Sequence, residues 1–349
     1  KQPSIKAIIA SGRNSERFFF GKKEVLLPVH SSVESINPEL KEEINLFINL
    51  VSGRRVLSST KSLIENLPNL VGGTVFDERL PERHALELDQ LTEQKGIWIA
   101  GGASVGLIIS GHLKLGAIGG TQAKQLEASN LFANGQIAVI SSSGGMVNEI
   151  IRLTAGSGFG LSFAMAVGGE RFPMTTPRQA MLAAEADPNT KAIAYFGEPG
   201  GGDEYDIAEL LSSGQLTKPL IAYIAGTVAE LFDAPPQFGH AKAMAGNHEE
   251  SASAKRQALS EAGAKAANTF GEFVEAINML DLPKVDQVNT EADDLNNRQS
   301  GLITSSVSYD VDGDVKLLGQ DLLSLVENNS FASITASMLL GKQLQSKEA

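Results

Sequence analysis

Apolar runs alternate with helical patterns along most of the chain, and this alternation predicts the fold. In the first third, five apolar runs are typical of strands, and helices are predicted over Val56–Leu67 and Pro81–Gln94. Pro81 at the first turn and Gly96 after the last turn are the usual start and stop signals of a helix. Strands that alternate with helices form parallel βαβ units, so we expect a Rossmann-like sheet in residues 1–132. The apolar runs are IKAIIA, VLLPV, LFINLV, VGGTVF and IWIAG.

A second alternation predicts a second α/β domain over residues 133–284. Its apolar runs are IAVIS, LSFAMAV, AIAYF and LIAYIA. Thr176 followed by Pro177 is typical of an N-cap and a first helical residue, which predicts a helix over 177–186. The polar run from Val285 to Ser300 indicates a flexible linker. A hairpin that turns at residues 312–314, followed by one or two helices, then completes a C-terminal extension over 285–349.

Composition excludes several classes of function. The 349 residues carry a formal net charge of −12, which disfavours nucleic acid or an anionic membrane as a partner. The chain has no cysteine, so it has no disulfide, thiolate metal site or cysteine nucleophile. No apolar run reaches the roughly 18 residues that span a bilayer, and the first residues do not resemble a signal peptide. We therefore expect a globular, cytoplasmic protein.

His240 is the candidate nucleophile. It follows Gly239 in a loop between the strand-like run Leu220–Ala225 and a helix predicted from Ser251 to Gly263. A neutral, exposed imidazole can attack a transferable phosphoryl group. For a lone histidine, a surface position in a flexible loop is the more common interpretation, so the catalytic one depends on two further segments.

Two strand–turn–helix segments supply those features. Ser143, Gly144 and Gly145 follow an apolar strand and open a helix, whose free backbone N–H groups suit a phosphate. Glu198 ends another apolar strand, where open α/β sheets place their chemistry, and a carboxylate there can orient an imidazole. Each turn alone is equally typical of packing. Together with His240 they predict a phosphoryl site.

Four motifs resemble the α-type subunit of the succinyl-CoA synthetase superfamily. They are SSSGGMVNEI, VGGERFP, FGEPGGGDEY and QFGHA. The most similar branch is that of citryl-CoA synthetase, with the matching part of ATP-citrate lyase. The resemblance extends in order from about Ile5 to Ile277. It implies a Rossmann-like CoA-binding domain followed by a flavodoxin-like domain with a phosphohistidine loop.

The resemblance also implies roles for particular residues. His240 would carry the phosphoryl group, Glu198 would orient the imidazole, and the phosphate would contact Ser143, Gly144, Gly145 and Gly239. Candidates for contacts with coenzyme A are Ser52, Arg54, Lys23 and Lys22, for which a solvated basic surface is the alternative. No metal site is predicted, because His248 and the glutamates beside it are adjacent loop residues that rarely converge on one ion.

The sequence departs from the family pattern in several places. We expect the resemblance to begin at the family's second strand, so the family's opening strand and the Gly-rich loop that touches CoA are either truncated, not represented or absent here. Ser142 replaces the arginine of Ser-Arg-Ser-Gly-Gly, and Lys242 replaces the glycine that follows GHA. The positive charge of Lys242 is expected either to steady a phosphoryl group or to lower the pKa of His240.

The implied activity is that of the α-type subunit of an ATP-dependent, ADP-forming citryl-CoA synthetase. A β-type ATP-grasp subunit would bind ATP and Mg²⁺, His240 would pass the phosphoryl group to citrate, and CoA would displace phosphate. The alternatives are a succinyl-CoA or malyl-CoA synthetase subunit and a non-catalytic CoA-binding module. The tail resembles the stretch that precedes the citryl-CoA lyase module, so we expect cleavage of citryl-CoA to need a separate lyase.

Overall fold

The computed structural model describes residues 4–20, 23–232, 236–285, 307–311 and 314–344. The chain falls into two compact units that divide between residues 297 and 298. Both units combine helices and strands, and the predicted α/β class is confirmed. Most of the predicted linker, residues 286–300, lies outside the described residues.

The first unit begins with two small sheets. Its elements up to residue 100 are β1 (Ile8–Ile9), β2 (Ser15–Phe20), β3 (Lys23–His30), α1 (Pro38–Glu43), β4 (Leu46–Asn49), α2 (Gly53–Asn66), β5 (Gly72–Val75), α3 (Glu82–Lys95) and β6 (Trp98–Ala100). Strands β4, β5 and β6 pair in parallel, and Val56 of α2 and Leu88 of α3 are fully buried in the same core. This is the βαβ arrangement that the alternation predicts. The predicted strand Ile5–Ala10 is reduced to β1, because it pairs only with β3 at the edge of its sheet.

A seven-stranded sheet forms the rest of the first unit. Its elements are β7 (Gly106–Ile109), β8 (Leu113–Gly116), α4 (Ala123–Ala128), β9 (Ile137–Ser141), α5 (Gly144–Gly156), β10 (Leu161–Ala166), α6 (Pro177–Ala186), β11 (Ala192–Gly197), α7 (Asp203–Ser212), β12 (Leu220–Ile224), α8 (Ala252–Glu261), β13 (Lys265–Ala267) and α9 (Phe270–Asn278). The strand order is β13-β12-β11-β9-β10-β7-β8. The five parallel strands β9 to β13 thus have the 2-1-3-4-5 order of flavodoxin-like sheets.

Two antiparallel strands extend this sheet beyond β10. Strand β7 pairs antiparallel with β10, and β8 pairs antiparallel with β7. Both strands precede residue 132, where the sequence analysis divides the two domains. The assignment of domains at residues 1–132 and 133–284 stays a prediction.

The topology brings three chain segments to one edge of the sheet. Ser141 at the end of β9 is the register partner of both Ala166 in β10 and Phe196 in β11. Because the three strands are parallel and adjacent, the turns that follow them leave from the same edge. Strand β10 lies on one side of β9 in the sheet and β11 lies on the other, so the strand order reverses direction at β9. Such a switch point is where open α/β sheets form their sites.

The second unit is a small sheet with two helices. Its elements are β14 (Ser308–Val311), β15 (Asp314–Leu317), β16 (Gln320–Asp321), α10 (Leu322–Asn328) and α11 (Phe331–Leu340). Strands β14 and β15 pair antiparallel as the predicted hairpin, whose turn residues 312–313 lie outside the described residues. Ser330 caps α11, and Gly341 ends it in the left-handed conformation.

The capping box of α6 gives a test of the first unit. The Thr176 hydroxyl accepts from the backbone of Gln179 at 3.2 Å, and the Gln179 side chain accepts from the backbone of Thr176 at 2.8 Å. We expect Thr176→Ala to lower the free energy of unfolding by about 1 kcal/mol, because one N-terminal N–H of the helix loses its acceptor. Urea unfolding followed by circular dichroism measures the change. The exposed helical substitution Ser260→Ala is the control and should cost nothing, whereas equal losses in both variants would contradict this account.

Candidate active site

His240 and Glu198 form the centre of the site. The Nδ1 atom of His240 lies 2.9 Å from Oε1 and 2.8 Å from Oε2 of Glu198. Glu198 immediately follows β11, and His240 lies in the loop between the 3-10 helix Thr227–Leu231 and α8. Gly239 has a φ of +70°, a conformation that glycine adopts without strain, and it delivers His240 to the end of the sheet. The structure thus brings these two sequence-predicted residues into direct contact.

The contact fixes which imidazole nitrogen is available. A carboxylate only accepts hydrogen bonds, so Nδ1 donates to Glu198 and, in the neutral ring, Nε2 keeps the free electron pair. The hydrogen bond to Glu198 raises the pKa of His240. Burial of the ring lowers this pKa, but the effect of Glu198 is larger. The side chain is 24% exposed. The expected exposed, largely neutral imidazole is therefore partly buried, and its protonated form is more favoured than in free histidine.

Gly169 lies against the imidazole. A Cβ atom at this position would fall 2.2 Å from Cγ of His240, so the ring occupies space that any other residue would fill. The carbonyl of Gly169 also accepts from the backbone N–H of Lys242 at 3.3 Å. The segment VGGERFP therefore packs directly against the histidine loop. Its glycine pair was recognised as a motif, but the sequence does not indicate this contact.

The Ser/Gly turn lies at the same edge of the sheet. Ser143 is the N-cap of α5 and accepts from the backbone of Met146 at 3.3 Å, and Gly144 and Gly145 form the first turn. Backbone N–H groups in a first helical turn have no partner within the helix, and the helix dipole adds partial positive charge there. The turn leaves β9 two residues after Ser141, just as Glu198 leaves β11 two residues after Phe196, the register partner of Ser141. The contacts of Ser143, Gly144, Gly145 and Gly239 with phosphate stay predictions.

Glu170 is a buried carboxyl that the sequence analysis does not single out. It is 6% exposed, and its Oε1 atom has no hydrogen-bond partner within the described part of the chain. Burial, together with the charges of Asp77 and Glu78, raises the pKa of Glu170 to about 7. The charges of Glu170 and His240 influence each other's pKa, so this carboxyl belongs to the electrostatic surroundings of the imidazole. Its place directly after Gly169, in a recognised motif, was the available signal.

Lys242 pairs with Asp203. Its ammonium contacts the carboxylate of Asp203, the first residue of α7, and its side chain is only 9% exposed. Burial and the charge of Lys255 lower the pKa of Lys242 to about 7, against the attraction of the Glu198 carboxylate. The pKa of His240 itself is raised, chiefly because Nδ1 donates a hydrogen bond to Glu198, and an effect of Lys242 on it stays a prediction.

The candidates for coenzyme A contacts lie at the first parallel sheet. Ser52 is the N-cap of α2, at the carboxyl end of β4, and its side chain makes no capping bond. Arg54 is exposed in the first turn of that helix. Lys22 lies outside the described residues, and Lys23 begins β3. The binding roles of all four stay predictions.

Metal-ligating clusters and membrane-spanning helices are both absent from the described residues. Across 4–20, 23–232, 236–285, 307–311 and 314–344, no three His, Asp or Glu side chains are grouped so that they could hold a metal ion. In the same ranges, no helix combines the length and apolar character that crossing a bilayer requires.

A match to a family model covers the whole of this site. Residues 140–265 match the model described as CoA-ligase. That stretch includes Ser143, Glu198 and His240. Residues 140–265 form a CoA-ligase domain. The resemblance predicted from the four motifs is thereby confirmed.

Related proteins cover more of the chain. ATP-citrate synthase subunit 1 of Sordaria macrospora is 36% identical over 273 residues, which are 78% of this chain and 40% of that protein. ATP-citrate synthase of Homo sapiens is 35% identical over 281 residues, 80% of this chain and 25% of that protein. The chain spans less than half the length of these relatives.

A solved structure shares the fold over almost the whole chain. The structure of ATP citrate lyase from Methanothrix soehngenii in complex with citrate and coenzyme A superposes with a TM-score of 0.75 and 26% identity. The match covers 99% of this chain and 59% of that one. The predicted order of a Rossmann-like and a flavodoxin-like part agrees with this likeness.

The His240–Glu198 contact gives a testable electrostatic prediction. We expect Glu198→Gln to lower the pKa of His240, because the amide no longer stabilises the imidazolium with a negative charge. Titration of the histidine ring signals by NMR measures the pKa. Glu249→Gln is the matched control, since Glu249 is an exposed carboxylate in the same loop. An unchanged His240 pKa in the Glu198 variant would show that the hydrogen bond does not form.

Proposed function

We propose that this chain is the phosphohistidine-bearing, α-type part of an ADP-forming acid–CoA ligase that makes citryl-CoA from citrate, CoA and ATP. The observation that carries the proposal is the direct contact of His240 with Glu198, within a CoA-ligase domain and at the edge of the sheet where α5 also begins. An imidazole held by a carboxylate supplies the nucleophile for phosphoryl transfer, and the N-terminus of a helix at the same edge supplies the proposed anion site.

The chemistry follows from the poor reactivity of a carboxylate. In the proposed cycle Nε2 of neutral His240 attacks the terminal phosphorus of ATP, the bond to the bridging oxygen breaks, and ADP leaves. A citrate carboxylate oxygen then attacks the phosphoryl group, so the N–P bond breaks and an acyl phosphate forms. The CoA thiolate attacks the acyl carbon and inorganic phosphate departs, which leaves citryl-CoA. The acyl phosphate gives the citrate carboxyl the good leaving group that a free carboxylate lacks, so the thiolate can displace it.

The residues of this chain support the first transfers. Glu198 holds the Nδ1–H group and thereby directs Nε2 outward, and it compensates the positive charge that develops on the ring. The N–H groups of Gly144 and Gly145 are the proposed donors to the phosphoryl oxygens, with the Ser143 hydroxyl and Gly239 beside them.

A partner completes the proposed enzyme. We assign ATP and its Mg²⁺ ion to a β-type ATP-grasp subunit, in a hetero-oligomer with this chain. The name of the Sordaria relative, subunit 1, is consistent with a divided enzyme, whereas the human protein is named simply ATP-citrate synthase.

The proposed acid and the proposed CoA site are inferred from similarity to related proteins. Relatives named for citrate, and a similar structure in complex with citrate and coenzyme A, favour citrate over succinate or malate. Ser52 and Arg54, at a helix N-terminus that can receive a phosphate, stay the proposed contacts for CoA. The alternative of a non-catalytic CoA-binding module does not explain why His240 and Glu198 form a pair.

Labelling of His240 tests the proposal. When the chain and its ATP-grasp partner are mixed with ATP carrying a radioactive terminal phosphate, we expect a label on His240 that is stable to base and lost in acid. His240→Ala should abolish the label, because Nε2 is the attacking atom. His248→Ala, which removes an exposed histidine of the same loop, is the control and should label fully. Full labelling of the His240 variant would end the proposal.

The choice of acid has its own test. In the reconstituted complex we expect CoA-dependent release of phosphate to be fastest with citrate, and slower by about tenfold or more with succinate or malate. A site that binds every polar group of citrate is left with unpaired polar groups when the acid lacks one of them. Equal rates with succinate would replace citryl-CoA by succinyl-CoA as the product. The labelling of His240 would then still hold.

A further inference from the structure

A buried lysine holds the turn that carries Glu198. Lys255 of α8 is 0% exposed, and its Nζ atom lies 2.6 Å from Oε2 of Glu204. The same ammonium donates to the carbonyl of Glu198 at 2.9 Å and to the carbonyl of Gly200 at 2.6 Å. Two of the ammonium protons therefore have backbone carbonyls as acceptors, and the carboxylate of Glu204 compensates the charge.

The turn itself is poorly fixed by its own residues. Gly200 and Gly201 have φ values of +88° and +64°, a conformation that other residues rarely adopt. A Cβ at Gly200 would fall 2.0 Å from the carbonyl oxygen of Lys242, so the close approach of the histidine loop also requires glycine there. Glycines leave the backbone flexible, and the two bonds from Lys255 supply the restraint that side chains of the turn do not.

Glu204, the carboxylate of the pair, is hydrogen-bonded to strand β11. Oε1 of Glu204 accepts from the hydroxyl of Tyr195 at 2.8 Å, and Tyr195 is fully buried in β11. The residue after Tyr195, Phe196, accepts at its carbonyl from the backbone N–H of Ser142 at 3.0 Å. Strand β11 thus connects the buried pair to the Ser/Gly turn on one side and carries Glu198 at its end.

Stability alone does not account for this network. Moving two charges out of water costs several kcal/mol, and a buried ion pair can often be replaced by apolar residues of similar size without loss of stability. Two of the three polar contacts of Lys255 go to the backbone that carries Glu198, which is the residue that contacts His240.

We propose that the buried Lys255–Glu204 pair is a positioning device for phosphoryl transfer, which sets the place of the Glu198 carboxylate relative to His240. The inference deepens the proposed function and rests on it for the transfer step. Lys255 and Glu204 are positioning residues, since neither contacts the imidazole in the structure.

The variants separate positioning from stability. Lys255→Met leaves Glu204 as an uncompensated buried charge and should both destabilise the fold and release the turn. Lys255→Met combined with Glu204→Met removes both charges, so stability should recover while the restraint on Glu198 stays lost. Arg256→Met is the matched control: Arg256 is a buried cation of the same helix, but it donates to Ile224, Thr227 and Ser253, not to the Glu198 turn.

Three measurements on the full chain decide the matter: urea unfolding, the pKa of His240 by NMR, and the rate of His240 labelling with the partner and ATP. In both Lys255 variants we expect the pKa of His240 to fall and labelling to slow by about tenfold to a hundredfold, as a misplaced catalytic group does. In Arg256→Met, stability should fall while the other two stay at their wild-type values.

The outcomes also separate this inference from the proposed function. A double variant with wild-type labelling and a wild-type His240 pKa would overturn the positioning role, and so would equal effects of Arg256→Met. The NMR titration needs no partner or substrate. If the wild-type chain never labels but the double variant still lowers the pKa of His240, positioning stands and the proposed function fails.

Discussion

The hydrogen bond between Nδ1 of His240 and the carboxylate of Glu198 is the interaction on which the site depends. It joins residues 42 positions apart in the sequence, and it forms because β11 ends where the histidine loop crosses the sheet. The bond has opposing consequences. It raises the pKa of His240, which reduces the share of neutral nucleophile, but it fixes the tautomer and the direction of Nε2. Under the proposed function, orientation and charge compensation are expected to outweigh the lost fraction of neutral ring.

The charges around the imidazole are mainly negative. Glu198, Glu78 and Glu170 all raise the pKa of His240. The side chain of Lys242 forms an ion pair with Asp203. We therefore expect an anion bound here to rely on backbone N–H groups and the dipole of α5 more than on cationic side chains. The serine at position 142, where the family motif has arginine, likewise supplies no cationic side chain. The pKa of about 7 for Glu170 also means that this carboxyl adds only part of a negative charge at neutral pH.

Much of the fold follows from local sequence signals, and the rest depends on long-range packing. Thr176 and Pro177 predict the start of α6 correctly, since a cap and an N1 proline act within one turn. The turns of Ser143 and Glu198 are predictable as neighbours because parallel strands share a carboxyl edge. The antiparallel pairing of β7 with β10 is not, since β7 lies before residue 132, in the stretch that the alternation assigns to the first domain. The burial of Lys255 is likewise not predictable from local sequence. Within residues 254–263 (AKRQALSEAG) it has the pattern of a surface lysine, and the carbonyl acceptors that allow its burial come from the distant Glu198 turn.

The motifs FGEPGGGDEY and QFGHA are therefore best understood as parts of one folding unit. Besides the contacts of Lys255, the backbone N–H of Gly200 donates to the carbonyl of Glu250 at 2.9 Å, and the hydroxyl of Tyr205 donates to the carbonyl of Glu249 at 2.7 Å. These bonds tie the first turn of α7 to the stretch that follows His240. A loop without helix or strand would otherwise have high conformational entropy, and ordering it costs roughly 1–2 kcal/mol per residue. The bonds to α7 and to the Glu198 turn offset part of that cost in the stretch of the loop that follows His240.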